Sequence, residues 1–512
     1  MRPLSIFACA LLAGCAGMEP LPPPPPASRP AAARPKLRAD ADPVALMGLL
    51  RLLGEGELAS SIRTGESPAL SRLAGMGTPK AVELWSRYSH IGLPLSEALI
   101  RASDEMIENR VVETARWARD PDLRAAGLRA LAARNRASDL PIFEEASRGS
   151  DAVLHFSLLE ALEAWDRPEA GALITRLATA DASPVVRVYG ARILLQRGNP
   201  AGHAELNRQL DGGDWVARAM AADALGLYGD QGDYNVLLDR LTREQANDFV
   251  VAELAIGALR LFAKHPPFGA PPPFRAGADD GSDPDALIVK APRLKIPPTA
   301  LIDGRINAQL LRLLEEKADS RPSGLDRSQP SVATLGSLVT PEGLRLQSRY
   351  SQLGFLLAEG LAGTTDLLLR DRILKVARGA SNARIRSVAM LALAYDGNAL
   401  DRSVFEAAVQ SDDPALRYGA IEAFQLWGRR SHQGGVFNLD QLAQTDPLGA
   451  FVAGGSVPAQ RWMDDPDWVI RSLAIRSGGV PKDKLLAFLA SEQNPYVRAE
   501  VCAALVGSPR LR

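Results

Sequence analysis

Few residues in this chain have the types and spacing that catalysis or metal binding requires. The five histidines, at positions 90, 155, 203, 265 and 432, are scattered without the spacing of metal ligands. The chain also lacks the short phrases GxxxxGKS or GxxxxGKT, HExxH, CxxC and GxSxG, and a GxGxxG phrase after a predicted strand. We therefore expect no catalytic residue, no metal site and no cofactor, although residues distant in the sequence can still converge in a fold.

Two identical SRYS phrases carry the side chains best suited to binding a partner. They place Arg87 and Tyr88 on one predicted helix and Arg349 and Tyr350 on another. Arginine offers a bidentate donor and tyrosine an aromatic ring, and both are common at interfaces. The alternative, which we favour, is that the tyrosines pack inside the fold and the arginines cap neighbouring helices. A duplicated architecture would need such contacts twice.

A shorter repeat indicates the elements that position these residues. Aspartate, asparagine or serine is followed four residues later by arginine, and the basic positions 124, 155, 187 and 218 are 31, 32 and 31 residues apart. The polar residue suits a helix N-cap. The basic residue falls in the first turn, where its charge needs a partner such as the capping carboxylate or a carbonyl of the neighbouring repeat. The pairs are Asp120/Arg124, Ser183/Arg187, Asp214/Arg218, Asn382/Arg386, Asp413/Arg417, Asp467/Arg471 and Asn494/Arg498, with His155 after Asp151.

This period of about thirty residues predicts stacked helix pairs, and hence an all-α solenoid. The phrases at 413–417 (DPALR) and 494–498 (NPYVR) resemble the Asp-Pro-x-Val-Arg opening of the second helix in HEAT repeats, particularly those of the phycobilisome-lyase-like group. The resemblance covers about residues 105–265 and 365–510. It implies a HEAT-like fold but little about activity, although the group includes proteins that act on chromophores.

The chain also repeats itself with a constant shift of 262 residues, which pairs the two SRYS phrases and pairs Trp165 with Trp427. We interpret this shift as a tandem duplication. It predicts a first module at 41–265, a linker rich in proline and aspartate at 266–300, and a second module at 301–512. The register breaks after Arg429, so we expect an inserted loop near 431–460. The two tryptophans end matching helices, where a hydrophobic seal is expected rather than a ligand platform.

The N-terminus predicts the location of the protein. A basic residue, Arg2, precedes an apolar run from Leu4 to Leu12, and the phrase LAGC ends at Cys15. This pattern resembles a bacterial lipoprotein signal, which implies a signal peptide at 1–14 and lipidation of Cys15. An ordinary secretory signal is the alternative. By resemblance to Gram-negative lipoproteins, Ala16 favours the outer membrane. The proline-rich residues 15–40 would form an extended tether.

The composition fits an exported helical protein. The 512 residues are 46% hydrophobic, and Lys+Arg 59 against Asp+Glu 60 give a net charge of −1. Nucleic-acid binding generally needs a clustered basic surface, so we expect no nucleic-acid partner. Cys9 and Cys15 belong to the predicted signal and anchor. Cys502 is therefore expected to be a buried thiol, and no internal disulfide is expected.

These patterns together predict a noncatalytic scaffold or adaptor, lipid-anchored at the periplasmic face of the outer membrane. It would hold another envelope protein, not identified by the sequence, against the concave helical surfaces of the solenoid. No small-molecule substrate is evident. Two alternatives stay open: an enzyme or maturation factor of the phycobilisome-lyase-like group, and a purely structural lipoprotein spacer.

Overall fold

A computed structural model describes residues 43–54, 67–76, 79–102, 105–165, 167–264, 304–320, 330–338, 340–362, 367–431 and 438–506. These residues all belong to one compact unit. The predicted signal peptide, Cys15, the tether and the linker at 266–300 lie outside the described residues. Within the described ranges, no helix combines the length and the apolar character that crossing a membrane requires.

The first half of the described chain forms fourteen α-helices, with a 3-10 turn at Ala137–Asp139 before the seventh. The helices are α1 (Pro43–Gly54), α2 (Pro68–Gly75), α3 (Pro79–Ser89), α4 (Gly92–Arg101), α5 (Glu105–Trp117), α6 (Pro121–Arg134), α7 (Leu140–Ala146), α8 (Ala152–Ala164), α9 (Glu169–Ala180), α10 (Pro184–Gln196), α11 (Pro200–Leu210), α12 (Trp215–Tyr228), α13 (Gln231–Arg243) and α14 (Asp248–Lys264).

The second half also forms fourteen α-helices, with a 3-10 turn at Ala399–Asp401. They are α15 (Gly304–Ala318), α16 (Pro330–Gly336), α17 (Pro341–Ser351), α18 (Leu353–Leu361), α19 (Leu367–Gly379), α20 (Ala383–Asp396), α21 (Arg402–Ala408), α22 (Pro414–Arg430), α23 (Leu439–Thr445), α24 (Pro447–Val452), α25 (Ala459–Trp462), α26 (Trp468–Ser477), α27 (Lys482–Ser491) and α28 (Pro495–Leu505). Proline often occupies the first helical position, where no intrahelical hydrogen bond is lost.

The helices of the two halves correspond one to one in chain order. From α5 to α7, the counterparts α19 to α21 begin and end 262 residues later. The shift then falls to 253 between the N-caps Asp214 and Asp467, and to 247 between Asn247 and Asn494, which cap α14 and α28. The structure thus differs from the inserted loop expected near 431–460. Residues 439–462 contain the short helices α23 to α25, capped at Asn438 and Asp446, and this part of the second half is shorter than the first.

Twelve of the described helices form a closed ring, in which each helix packs on the next and the last returns to the first. In order they are α4, α6, α8, α10, α12, α14, α18, α20, α22, α24, α26 and α28. Their partners in the helix pairs, such as α5, α9 and α13, pack on the outside of the ring helices. The predicted all-α solenoid is therefore confirmed, and its two halves close on each other at the α14–α18 and α28–α4 contacts.

Four short helices bridge the ring and cover part of its inner face. Helix α2 packs on α22 and α26, α16 packs on α10 and α12, and α3 contacts α17 between them. The last carbonyls of α2 accept hydrogen bonds from the second half, since Arg384 Nε donates to Gly75 O at 2.7 Å and Gln352 Nε2 to Met76 O at 3.0 Å. The expected concave surface is thus covered in part by the protein's own helices.

Glycines allow the two helices of a pair to approach closely. A Cβ atom on Gly190 of α10 would lie 2.9 Å from Ala178 Cβ and 3.0 Å from Ala178 Cα on α9. Gly127 of α6 meets Ala115 of α5 in the same way, at 2.9 Å from the backbone nitrogen. Because helix backbone lies at these points, only the missing side chain permits the spacing.

We expect Gly190→Ala to lower the free energy of unfolding by about 1–3 kcal/mol, because α9 and α10 would have to separate. Gly171→Ala in α9 is the matched control. A Cβ there meets nothing within 4 Å, so the better helix former should stabilise by about 0.5 kcal/mol. Urea unfolding of both variants measures the difference. Equal effects would contradict the close approach.

Candidate functional site: the repeat ladder and the two ring junctions

The polar residues of the repeated phrase cap helices as predicted in every pair but one. Asp120 accepts from the backbone N–H groups of Asp122 and Leu123 at the start of α6. Ser183 is the exception, because its side chain makes no cap hydrogen bond. The other side chains that accept from first-turn N–H groups are Asp151, Asp214, Asn382, Asp413, Asp467 and Asn494.

The arginines of the phrase find different partners from those expected. Arg218 Nη1 donates to the carbonyl of Gly212, in the turn that precedes its own helix, at 3.0 Å, while its Nε lies 3.3 Å from Glu244 of the next helix pair. The same arrangement occurs at two further arginines. Arg187 contacts the Asp181 carbonyl and Glu205, and Arg471 contacts the Asp465 carbonyl and Glu492. The preceding carbonyls offset the unfavourable dipole, and the carboxylates tie successive repeats together.

The remaining basic positions show variations on this ladder. Arg124 Nε donates to Ala115 O at 3.2 Å and Arg386 Nε to Ala377 O at 3.0 Å, which are equivalent carbonyls in the two halves. His155 Nδ1 lies 2.5 Å from Asp181 Oδ2, and this hydrogen bond raises its pKa. The Arg417 guanidinium lies 5.1 Å from the centroid of the Tyr418 ring, and Arg498 is buried. The ladder thus has a structural role.

The SRYS phrases lie at the two places where the ring closes. Arg87, Tyr88, Arg349 and Tyr350 are all buried, with exposures of 4%, 0%, 0% and 0%. Their side chains face other helices of the same chain, so they offer no accessible surface for a partner in this conformation. The tyrosines pack inside the fold, as the favoured alternative predicts. The arginines, however, bind carboxylates and do not cap neighbouring helices.

The open junction lies between α4 and α28 and consists of Arg87, Glu97, Arg476 and Glu500. Arg87 Nη1 and Nη2 donate to the two oxygens of Glu97, each at 2.9 Å, and Arg87 Nε donates to Glu500 Oε1 at 2.8 Å. Arg476 Nη1 lies 3.7 Å from Glu97 Oε2. Burial alone would raise the pKa of Glu97, but Arg87, together with Arg476 and Arg129, lowers it to about 2.

The filled junction lies between α14 and α18 and consists of Asp223, Glu253, Arg260, Arg349 and Glu359. Arg349 donates to both oxygens of Glu253 and, through Nη1, to Glu359 Oε2 at 2.7 Å. Arg260 Nη1 donates to Asp223 Oδ1 at 2.6 Å, and its Nη2 donates to Glu359. Burial opposes ionisation of Asp223, but Arg349 and Arg260 hold its pKa well below the usual range. Each junction is thus a buried network of paired charges.

The aromatic side chains show that the two junctions are built alike. Tyr350 stands edge-on to Trp215 at 6.2 Å between ring centroids, and Tyr88 stands edge-on to Trp468 at 6.0 Å. In both cases the tyrosine follows the junction arginine and the tryptophan opens a ring helix. The duplicated phrases therefore close the ring at two pseudo-equivalent points.

The two junctions differ at three positions. Arg345, which also donates to Asp223 Oδ2 at 3.2 Å, corresponds to Glu83 under the shift of 262. Position 476 corresponds to Asp223 under the shift of 253, so an arginine replaces an aspartate there. Position 507 corresponds to Arg260 under the shift of 247, and it lies beyond α28 and outside the described residues. Helix α26 has 10 residues where α12 has 14, and α28 has 11 where α14 has 17. A cavity of about 190 Å³ lies at the open junction.

Trp165 and Trp427 fill equivalent places in the core, as expected for a hydrophobic seal. Both are 0% exposed. Trp165 contacts Phe143, with 4.8 Å between ring centroids, and Trp427 contacts Phe405 at 5.9 Å. Neither side chain offers a surface on which a ligand could stack.

Among the described residues, one group of side chains resembles a set of metal ligands. It consists of His203, Asp230 and Asp233, whose donor atoms lie within 4.8 Å of one another. His203 Nε2 lies 2.7 Å from Asp233 Oδ1, and the two aspartates form the capping box of α13. Spacing in the sequence could not reveal this group, because His203 lies on α11 and the two aspartates lie at the start of α13. Helix capping accounts for its hydrogen bonds, so we assign it a structural role.

Glu160 provides a pH-dependent contact between the ring and α17. It is largely buried on α8, with 12% of its side chain exposed, and its Oε2 accepts from the Glu342 backbone N–H at 3.2 Å. Burial raises its pKa to about 7, although Arg129 favours the charged form. The folded protein thus keeps a proton that the unfolded chain loses, so Glu160 lowers stability as pH rises from about 4.5 to 7.

Glu160→Gln, which mimics the protonated carboxyl, should therefore stabilise the protein more at pH 8 than at pH 4.5. The difference should be about 1–3 kcal/mol, from 1.36 kcal/mol per unit of pKa shift. Urea unfolding at both pH values measures it, with the exposed Glu406→Gln as control. A gain that does not change with pH would contradict the raised pKa.

Comparison with known proteins agrees with this geometry. Residues 167–260, which include α9 to α13 and most of α14, match the family model of HEAT repeats. No curated protein matches the chain. The matched segment contains capped helix pairs linked by the arginine ladder, and the same pairing continues around the ring. Residues 167–260 are therefore similar to HEAT repeats, and they lie within an all-α solenoid.

Proposed function

We propose that the protein is a noncatalytic scaffold or adaptor of the bacterial envelope, which binds another envelope protein through the outer surface of its ring. The closed ring carries this proposal. Its inner helices pack on one another and on α2, α3, α16 and α17, and buried ion networks join its two halves. HEAT repeats commonly serve protein interaction, and a rigid surface loses little conformational entropy on binding.

Trp117, at the end of the outer helix α5, is the best candidate for the centre of a contact. Its side chain is 66% exposed, and the Arg116 guanidinium lies 5.8 Å from the centroid of its ring. Arg116 Nε also lies 3.4 Å from Glu145 on α7. Exposed tryptophan beside arginine is the composition of many binding hot spots.

The N-terminal sequence supports an anchor for this scaffold. Lipidation of Cys15 would attach the chain to the membrane, and the LAGC phrase with Ala16 favours the periplasmic face of the outer membrane. The proline-rich residues 15–40 would span roughly 80 Å if fully extended at about 3.1 Å per residue. The ring could therefore reach partners away from the bilayer, while the anchor confines it to the membrane surface and raises its effective concentration there.

Crosslinking and affinity purification from the native host test the scaffold proposal. The wild-type protein should retain one stoichiometric envelope partner, and Trp117→Ala should lose it. Leu400→Ala is the matched control, since Leu400 is an 81% exposed side chain in the 3-10 turn before α21. If the wild type captures no partner above background, the scaffold proposal fails and the spacer or enzyme alternatives gain weight.

Membrane fractionation with labelled fatty acid tests the anchor separately. The wild type should carry the label and sediment with the outer membrane, whereas Cys15→Ala should carry none and stay soluble in the periplasm. Labelling of the variant to the wild-type level would contradict lipidation at Cys15.

A further inference from the structure

We propose that the cavity at the open junction binds a small zwitterion, namely an aliphatic amino acid or a dipeptide. The inference goes beyond the scaffold function and does not depend on it. The cavity lies between α4, α26, α27 and α28, and its volume of about 190 Å³ is below the roughly 300–1,000 Å³ of pockets for drug-sized ligands. The ligand must therefore be small.

The filled junction shows what this space holds when the chain fills it. There, the aliphatic stem and guanidinium of Arg260 lie in the equivalent place, 3% exposed, and pair with Asp223 and Glu359. At the open junction, α28 ends before the equivalent position. The equivalent position, 507, is a glycine, so it has no side chain that could take the part of Arg260.

The cavity presents an anion-binding group with unused donors. Arg476 lines it with a side chain that is 16% exposed, and its contact with Glu97 at 3.7 Å is longer than a hydrogen bond. No hydrogen bond to Arg476 forms among the described residues. A guanidinium in this state matches a carboxylate, which it binds through two parallel hydrogen bonds.

The same cavity presents an acceptor for a cation. Glu500 is 4% exposed and lines the cavity. Its Oε1 accepts from Arg87 at 2.8 Å, while its Oε2 has no hydrogen-bond partner within the described part of the chain. A carboxylate oxygen that faces a cavity without a donor favours an ammonium group, which supplies three donors.

The charges and the apolar wall together select a zwitterion. Glu97 and Glu500 line the cavity together with Arg476 and Lys482, and Arg87 pairs with both carboxylates from behind. Groups of both signs therefore face the ligand, and a zwitterion pairs with both without adding net charge to the site. Between the polar groups, the cavity is lined by aliphatic side chains of Val480, Leu485 and Leu505. An amino acid places its carboxylate at Arg476, its ammonium group at Glu500 and its side chain on this wall.

Calorimetric titration of the full-length protein in detergent tests the proposal with three related ligands. Leucine should bind, whereas N-acetylleucine and leucinamide should bind about ten- to a hundredfold more weakly, because each lacks one charged group. Alanyl-leucine distinguishes the two sources of the same chemistry: tighter binding than leucine indicates a peptide, and weaker binding a free amino acid. Equal binding of leucine and N-acetylleucine would overturn the proposal.

Variants locate the site independently of the ligand series. Arg476→Met should weaken leucine binding by at least about tenfold, since the carboxylate loses its partner. Ala504→Trp adds bulk from an exposed position on the cavity wall and should block binding without disturbing the core. Arg372→Met, on the exposed surface of α19, is the control. If leucine fails to bind the wild type, or binds Ala504→Trp as well as the wild type, the cavity is not the site.

Discussion

Replacing Arg349 with methionine is expected to lower the free energy of unfolding by about 3–5 kcal/mol. The side chain is 0% exposed and donates to Glu253 and Glu359. Among the described residues, its loss leaves the buried Glu253 without a hydrogen-bonded cation and Glu359 with Arg260 alone. The site also joins the end of the first half to the start of the second. We therefore expect the ring to open at the filled junction, which urea unfolding and small-angle scattering would measure together.

Arg372→Met provides the control for the loss of one ion pair. Arg372 and Glu315 are 52% and 39% exposed, so their pair is solvated and worth at most about 1 kcal/mol. Arg87→Met at the open junction should cost less than Arg349→Met, because Glu97 and Glu500 line a cavity in which water can solvate them. If Arg349→Met lowers the free energy of unfolding no more than Arg372→Met does, the buried network does not close the ring.

The helix caps and helix boundaries of this fold were predictable from sequence, because they depend on residues that are close together in the chain. Asp120 and Asp413 cap the helices that follow them, and each cap involves atoms two or three residues away. The shift of 262 residues likewise matches helix boundaries such as those of α5 and α19. Spacing along the chain therefore predicted helix pairs and their duplication.

The closure of the ring was not predictable in this way, because it depends on contacts between distant residues. Arg87 and Glu500 are separated by 413 residues, and Arg349 and Glu253 by 96. A signal did exist in the sequence. Glu253 and Glu500 each stand alone in an apolar helical stretch, VVAELAIGAL and VRAEVCAAL, and a lone acid at such a position indicates a buried partner.

The four bridging helices could not be placed from sequence either. The phrases at α3 and α17 repeat with the same shift as the ring helices, so periodicity does not distinguish a helix in the ring from one that crosses it. The distinguishing contacts are backbone groups bound by distant carboxylates, such as Lys80 N on α3 donating to Glu422 at 3.2 Å. This is why a concave binding surface was expected where the protein's own helices lie.

The tryptophans Trp165 and Trp427 give the second large expected effect. Replacement of either by alanine should lower the free energy of unfolding by about 3–5 kcal/mol, since each is 0% exposed and leaves a large cavity. Replacement by phenylalanine should separate the two positions. Trp427 Nε1 donates to Asn398 O at 2.7 Å, whereas Trp165 Nε1 is buried without a hydrogen-bond partner among the described residues.

Trp427→Phe should therefore cost about 0.5–1.5 kcal/mol more than Trp165→Phe, because the Asn398 carbonyl loses the indole donor and keeps, within the described chain, only the Asp401 N–H, at 3.1 Å. Urea unfolding of the four variants measures both effects, and the alanine pair controls for the loss of packing at each site. Equal costs for the two phenylalanine variants would mean that the hydrogen bond contributes nothing. A small cost for both alanine variants would mean instead that the two tryptophans do not seal the core.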